Sequence, residues 1–500
     1  MRVLAVILCA AGMCWGQGIE ARVEGLLAKY PAVAKGSWGA YAVDVGTGDV
    51  VFAREADHTF VPASNNKLFA SGYGLSKLGP EHRFVTRVVA AKTVDGQGVV
   101  AGDLVLEGGG DPSLSGREWP YRKNGSWRDS FAPLEELAGQ VWERGVRRIR
   151  GDVVGDDRAY VHELFPPGWG MDDTLYDYGA PVSALVVHDN YVTVRLEAGQ
   201  AGEVAHARVI PEVGYFQVVN RTVSAAGGGS NVTERRSGDG RVIELEGRVA
   251  AGAPVAMGIA LDDPARYAAH VFRRLLQARG IVVEGEARAR HRYEAEAAGA
   301  GAEVGAEGVE LARRSSPPMA EVVQMTNKLS QNLYAELLLR EAARVEGKGG
   351  SRRAAIAGLG AWLRGVGVKG EEFAFFDGSG LTRLALVSPQ AVMKVLQAMA
   401  AGPSREAWWN SLPVGGEDGT LSRRFKGWNG GVVRAKTGTL SHVTGLSGYV
   451  EAAGGRTIAF SILANNANTN AAGIRGFVDA LVVALAEEGA VRGAGGSRLQ

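Results

Sequence analysis

Residues 60–70 read FVPASNNKLFA, with Ser64 and Lys67 three positions apart at the threshold of an apolar run. Pro62 suits a first helical turn, and Leu68, Tyr73, Leu75 and Leu78 recur at roughly helical spacing. Positions i and i+3 share one face of a helix, so the Lys67 amine can reach the Ser64 hydroxyl. Serine is a poor nucleophile at neutral pH and needs an adjacent base. Lysine can be that base only where burial or a neighbouring cation favours its neutral form. The positive end of the helix would favour a developing oxyanion. Taken alone, the pair also fits a solvated helix start, although it is the single S-x-x-K of the chain. Just upstream, GAYAVDVGTGDVVFARE (39–55) alternates apolar and polar residues around a Gly-Thr-Gly-Asp turn, a β-hairpin pattern.

Two more short patterns lie downstream. Ser330-Gln331-Asn332 falls between two helical stretches in NKLSQNLYAELLL (327–339). Its plain reading is an inter-helix turn; its chemical reading is a hydroxyl that relays a proton and an amide that holds a peptide. Lys436-Thr437-Gly438-Thr439 ends the β-patterned run GGVVRAKTGTL (430–440). Here the plain reading is an edge-strand lysine before a turn. In the chemical reading Gly438 lets a substrate backbone lie close. Lys436, Thr437 and Thr439 would receive a carboxylate, and the Lys436 charge would help keep Lys67 neutral. None of the three patterns decides the matter alone, but their order does. S-x-x-K follows the first hairpin, S-x-N sits between helices, and K-T-G lies on a strand before a last hairpin and helix.

Strands are predicted over Val432–Thr439, Gly445–Glu451 and Thr457–Ala464. A closing helix is predicted over Ala471–Glu487, with Ile474, Phe477, Val478, Leu481 and Leu485 on one stripe. With the first hairpin they make one antiparallel five-stranded sheet flanked by helices, an α/β (α+β) domain. The middle of the chain is mostly strand-patterned and reads as an insertion. Helices are predicted over Pro133–Gly145 and Asp263–Arg279, a strand over Val146–Val154, and a hairpin loop in AAGGGSNVTERRSGDG (225–240).

The chain of 500 residues is long enough for about two to four domains. Its formal net charge of +1 gives no electrostatic reason to expect nucleic acid or an anionic membrane as partner. MRVLAVILCAAGMCWGQG carries a basic start and a short apolar core, the pattern of a secretory signal, and is too short to span a bilayer. Both cysteines, Cys9 and Cys14, lie inside it, so the mature chain is expected to lack disulfides and thiolate chemistry. Bulky Leu8 and Met13 precede them, which argues against a lipid-anchored cysteine. The eight histidines show no ligand-like spacing, so no metal and no cofactor are expected.

The ordered set of motifs, together with GDLVLEGGGDPSLS (102–115) and FFDGSGLTR (375–383), resembles the D-alanyl-D-alanine carboxypeptidase/endopeptidases, the class C low-molecular-mass penicillin-binding proteins. Ser64 and Ser330 stand more than half the chain apart, a gap that this family's inserted domains fill. The resemblance implies a β-lactamase/transpeptidase-like domain carrying nested, mostly-β insertions. The expected layout is a signal at 1–17, a catalytic domain at 18–82 and 311–490, domain II at 83–160 and 262–292, and domain III at 161–261. A flexible connection at 293–310 and a tail at 491–500 complete it.

The resemblance further implies Ser64 as acylated nucleophile, Lys67 as its base, and Ser330 and Lys436 as proton relay. Asn332, Thr437, Gly438 and Thr439 would line the substrate, with the N–H groups of Ser64 and Thr439 as oxyanion hole. A diaminopimelate side chain would meet Asp173 and Tyr178, in GWGMDDTLYDYGAP, and Arg383. The glutamine usual after K-T-G in this family is Ser441 here, so that subsite would differ. The implied partners are peptidoglycan stem peptides and covalently bound β-lactams, and the implied location is periplasmic or secreted. Two rival readings keep the scaffold: a β-lactamase or esterase, and a non-catalytic wall-binding protein. The first lacks a convincing deacylating glutamate between Asn332 and Lys436, and the second would show a damaged motif.

Overall fold

The computed structural model describes residues 17–127, 129–294 and 307–496. The expected signal, apart from Gln17, and most of the expected 293–310 connection lie outside the described residues. The chain divides into two compact units. One takes the chain up to Ser76, Val323–Gln331 and everything from Leu359; the other takes Lys77–Val322 and Asn332–Gly358.

The first unit is built on five strands: β1 (Ser37–Asp44), β2 (Val50–Arg54), β3 (Gly431–Leu440), β4 (Val443–Ala452) and β5 (Thr457–Asn465). They form an antiparallel sheet in the order β3-β4-β5-β1-β2, as the alternation predicts. Asp44 shapes the first hairpin: its Oδ1 accepts from the Gly46 and Thr47 N–H groups at 2.8 and 2.9 Å. Gly48, at φ +80°, supplies the left-handed residue of that turn. β1 and β5, from opposite ends of the sequence, pair from Ser37↔Asn465 to Asp44↔Ile458.

Side-chain alternation sends Ile458, Phe460 and Ile462 of β5 into the core beneath the closing helix, Ala471–Gly496. Ile474, Phe477, Val478, Leu481 and Leu485 are all buried there, and helix Gln17–Lys29 adds Ile19, Val23 and Leu27. The opposite face of β1 and β5 is covered by helix Pro389–Ala401, which Ser388 caps by accepting from the Ala391 N–H at 3.0 Å. The closing helix runs past the expected end at Glu487 into the expected tail. No proline stops it, and glycine weakens a helix without ending it.

The second unit contains another five-stranded sheet, ordered Ala287–Arg290, Val153–Asp156, Leu104–Glu107, Val85–Ala90 and Val309–Ser315. Three three-stranded sheets accompany it among the described residues. The stretch expected as a hairpin loop contains a strand of its own, Asn231–Ser237, antiparallel to Val242–Ala250. Val232 and Thr233 suit an extended chain, which leaves only a short turn around Gly238 and Gly240. The expected strand over Val146–Val154 is two short ones, Arg148–Ile149 and Val153–Asp156.

The units cut across the expected domain boundaries at helix Asn332–Val345, which belongs to the second. Polar links hold it there: Arg340 Nη1 to Glu163 Oε2 at 2.5 Å, Tyr334 Oη to Asp189 Oδ1 at 2.8 Å, and Glu341 to His82 at 2.9 Å. No helix among the described residues is long and apolar enough to cross a membrane.

Candidate active site

Ser64 lies in a 3-10 turn, Ala63–Asn65, that runs directly into helix Asn66–Leu78. The residue before it, Ala63, has φ +48°, a left-handed conformation that strains a residue with a side chain. The approach to the turn is clamped by Asn465, whose Oδ1 accepts from Val61 N at 2.7 Å and whose Nδ2 donates to Val61 O at 3.1 Å. Lys67, one turn on, is fully buried. Its Nζ donates to Ser64 Oγ at 2.9 Å and to the Ser379 carbonyl at 2.7 Å.

Ser379 belongs to the D-G-S-G-L loop, which is organised around one buried carboxylate. Asp377 Oδ1 accepts from Asn66 Nδ2 at 3.1 Å and Gly380 N at 3.0 Å, while Oδ2 accepts from Ser379 Oγ at 2.9 Å and Thr382 N at 3.0 Å. Gly380 takes φ +76°, and a Cβ there would lie 1.9 Å from the Ala63 carbonyl oxygen. Only glycine lets this loop seat against the nucleophile turn.

The third wall is edge strand β3. Lys436 is fully buried, and its Nζ donates to Ser330 Oγ at 2.8 Å and to the Thr437 carbonyl at 2.8 Å. Burial, and then the charge of Lys67, hold its amine well below the ordinary lysine range. Ser330 stands between two helices at φ +59°. Thr437 Oγ1 donates to Thr420 Oγ1 at 2.9 Å. On the outer edge of β3, Ala435 N donates to Pro413 O at 3.0 Å. The two-residue period of a strand therefore turns the N–H groups of Thr437 and Thr439 to that same side, away from β4. Gly438, expected to make room for a substrate backbone, has a different neighbour. A Cβ there would lie 2.6 Å from both Pro62 O and Asn65 Nδ2, so the missing side chain makes room for the serine turn.

Ser64, Lys67, Ser330, Lys436, Thr437, Gly438 and Thr439 thus belong to one compact unit, two of its buried amines each bonded to a serine hydroxyl. Arg383, in the same unit, is exposed, and its Nη2 donates to Ser441 O at 2.8 Å. Asp173, Tyr178 and Asn332 lie in the second unit and form a chain of their own. Asn332 Nδ2 donates to Tyr178 O at 2.7 Å. Burial, and then the neighbouring Asp173 carboxylate, push the Tyr178 hydroxyl up to about 12. Asp173 Oδ2 also accepts from Gly170 N at 2.9 Å. Sequence reasoning marked the stretch holding Asp377 and Ser379 without seeing their roles, and it missed Asn65 and Thr420 altogether. Asp-Gly-Ser-Gly carried a readable signal, a turn whose carboxylate bonds its own backbone; Asn65 and Thr420 carried none.

Residues 19–487 match the model of the D-Ala-D-Ala carboxypeptidase 3 (S13) family. The D-alanyl-D-alanine carboxypeptidase of Actinomadura sp. (strain R39) is 34% identical over 483 residues, covering 94% of this chain and 85% of that protein. The crystal structure of penicillin binding protein 4 (dacB) from Haemophilus influenzae superposes with a TM-score of 0.78 at 22% identity, covering 93% of this chain and 99% of that one. A complex of the same protein with a novel beta-lactam superposes with a TM-score of 0.74. The β-lactamase/transpeptidase-like fold is thereby established, and the family match spans both compact units: the protein belongs to the D-Ala-D-Ala carboxypeptidase 3 (S13) family, serine-type hydrolases.

Proposed function

We propose that Ser64 is the acylated nucleophile of this D-Ala-D-Ala carboxypeptidase and Lys67 its base, acting on peptidoglycan stem peptides. One observation carries the reading: the 2.9 Å hydrogen bond between Lys67 Nζ and Ser64 Oγ, made by a lysine wholly withdrawn from water. Two amines buried in one unit cannot both stay charged at low energy, which favours a neutral amine able to take the serine proton.

Ser64 Oγ attacks the carbonyl carbon of the penultimate D-alanine, and its proton passes to Lys67. The N–H groups of Ser64 and Thr439 hold the resulting oxyanion. The C–N bond then breaks, and the terminal D-alanine leaves as an amine protonated through Ser330 and Lys436. Water hydrolyses the ester and restores Ser64. Lys436, Thr437 and Thr439 receive the substrate carboxylate, with the peptide laid along the open edge of β3 as an added strand. Arg383 meets the side chain of a diaminopimelate residue. Where the leaving amine belongs to that residue, the same chemistry opens a cross-link and the enzyme is an endopeptidase. A β-lactam acylates the same serine. The substrate places the enzyme in the periplasm or outside the cell.

The nested layout, domain III within domain II within the catalytic domain, belongs to this proposal. Its support is the return of Ala287–Arg290 beside Val153–Asp156 in one sheet. The test is Ser64→Ala, which should abolish labelling by a fluorescent penicillin and release of D-alanine from purified muropeptides, read by mass. Label or product persisting on that variant removes Ser64 from its role.

A further inference from the structure

We propose that Asp157, His162 and His291 form a binding site for a divalent transition-metal ion, Zn(II) by preference, in the second unit. The sequence suggested no such site, because these residues are far apart in the chain and match no ligand spacing. The sheet brings them together. Strands Val153–Asp156 and Ala287–Arg290 run parallel, with Asp156↔Arg290 as their last pair. Asp157 and His291 are the next residue of each, and the Asp157 N–H still donates to Arg290 O at 3.2 Å. The loop beyond Asp157 folds back until the His162 N–H donates to Arg292 O at 2.7 Å. One ligand atom from each of the three then lies within 4.8 Å of the others, the one such group among the described residues.

The distances and partners suit a metal. His291 Nδ1 lies 2.9 Å from Asp157 Oδ1, and His162 Nδ1 lies 3.8 Å from Asp157 Oδ2. Tetrahedral zinc, with bonds of about 2.0–2.2 Å, sets its ligand atoms roughly 3.3 Å apart, between those two separations. The longer one is beyond hydrogen-bond reach, and His162 Nδ1 is a buried polar atom with no hydrogen-bond partner. The outer contacts also fit. Asp263 Oδ2 lies 3.3 Å from His291 Nε2, which reserves the other ring nitrogen, and Ser183 Oγ donates to Asp157 Oδ2 at 2.9 Å. Two imidazoles and a carboxylate are a nitrogen and oxygen donor set that zinc accepts, leaving a fourth position for water. Bound there, the ion would tie the 157–162 loop to the chain leaving the sheet at His291.

The test uses the purified full chain, stripped with a chelator and titrated with Zn(II) by calorimetry and with Co(II) by visible absorbance. One equivalent should bind, the cobalt form should give a tetrahedral d–d spectrum, and zinc should raise the melting temperature. His162→Ala should lose the stoichiometric site. Asp263→Asn keeps a competent N-cap for helix Pro264–Ala278 and should weaken binding about 10–100-fold. Absence of stoichiometric zinc binding to the wild-type chain would overturn the proposal, as would equal binding by wild type and both variants. The cluster would then be an ion-paired network in which His291 holds a proton between two aspartates.

Discussion

Replacing Asp377 by asparagine tests how the D-G-S-G-L loop holds the base. Asp377 is fully buried, and its two oxygens accept from Asn66 Nδ2, Gly380 N, Ser379 Oγ and Thr382 N. In Asp377→Asn one oxygen becomes an NH2 group, and either orientation of the amide aims it at a backbone N–H, that of Gly380 or that of Thr382. The better orientation faces Ser379, whose hydroxyl can turn to accept, and leaves the Thr382 N–H unpaired. A hydrogen bond to a charged acceptor contributes about 1.5–3 kcal/mol, so with the facing dipoles the variant should be destabilised by about 2–4 kcal/mol. At roughly 2–4 °C per kcal/mol for a unit of this size, the melting temperature should fall by about 5–15 °C. The same loop presents the Ser379 carbonyl to Lys67 Nζ at 2.7 Å, so its displacement moves the amine relative to Ser64. A shift of about 1 Å is worth about 100-fold in rate. The assay is the second-order rate of acylation by a fluorescent penicillin, followed well below the melting transition, beside a thermal melt. Unchanged acylation and an unmoved melt would refute the argument that this carboxylate positions the base.

Gly438→Ala places a Cβ 2.6 Å from Pro62 O and Asn65 Nδ2, so it should displace the serine turn. Stability should fall by about 1–3 kcal/mol, with a larger proportional loss in acylation rate, read by melt and labelling. Lys436 should make stability depend on pH. Unfolded, it keeps its proton up to about 10.5; folded, burial and Lys67 release it well below that. In the window beneath 10.5 the unfolded chain binds more protons, so stability should rise with pH there. Urea unfolding at two pH values should give a smaller rise for Lys436→Met than for wild type. Arg383→Ala should lower kcat/KM on diaminopimelate-containing stem peptides by about 10–100-fold, the value of one charge-assisted contact. Its acylation by penicillin, which lacks that side chain, should stay close to wild type.

Read without coordinates, the chain already declared its local chemistry. The three-residue step from Ser64 to Lys67, the two-residue alternation of the five strands and the stripe ending at Leu485 are short-range periodicities, and each reports which face an element buries. The order of S-x-x-K, S-x-N and K-T-G along the chain, with the stretches 102–115 and 375–383, was enough to single out the family. Periodicity does not say what a buried face meets. The seating of Gly438 on the serine turn, the carboxylate of Asp377 behind Lys67, the allegiance of helix Asn332–Val345 to the second unit, and the meeting of Asp157 and His162 with His291 all join segments far apart in sequence. Such pairings are set by which distant surfaces fit and which buried charges find partners, and those are properties of the folded chain alone.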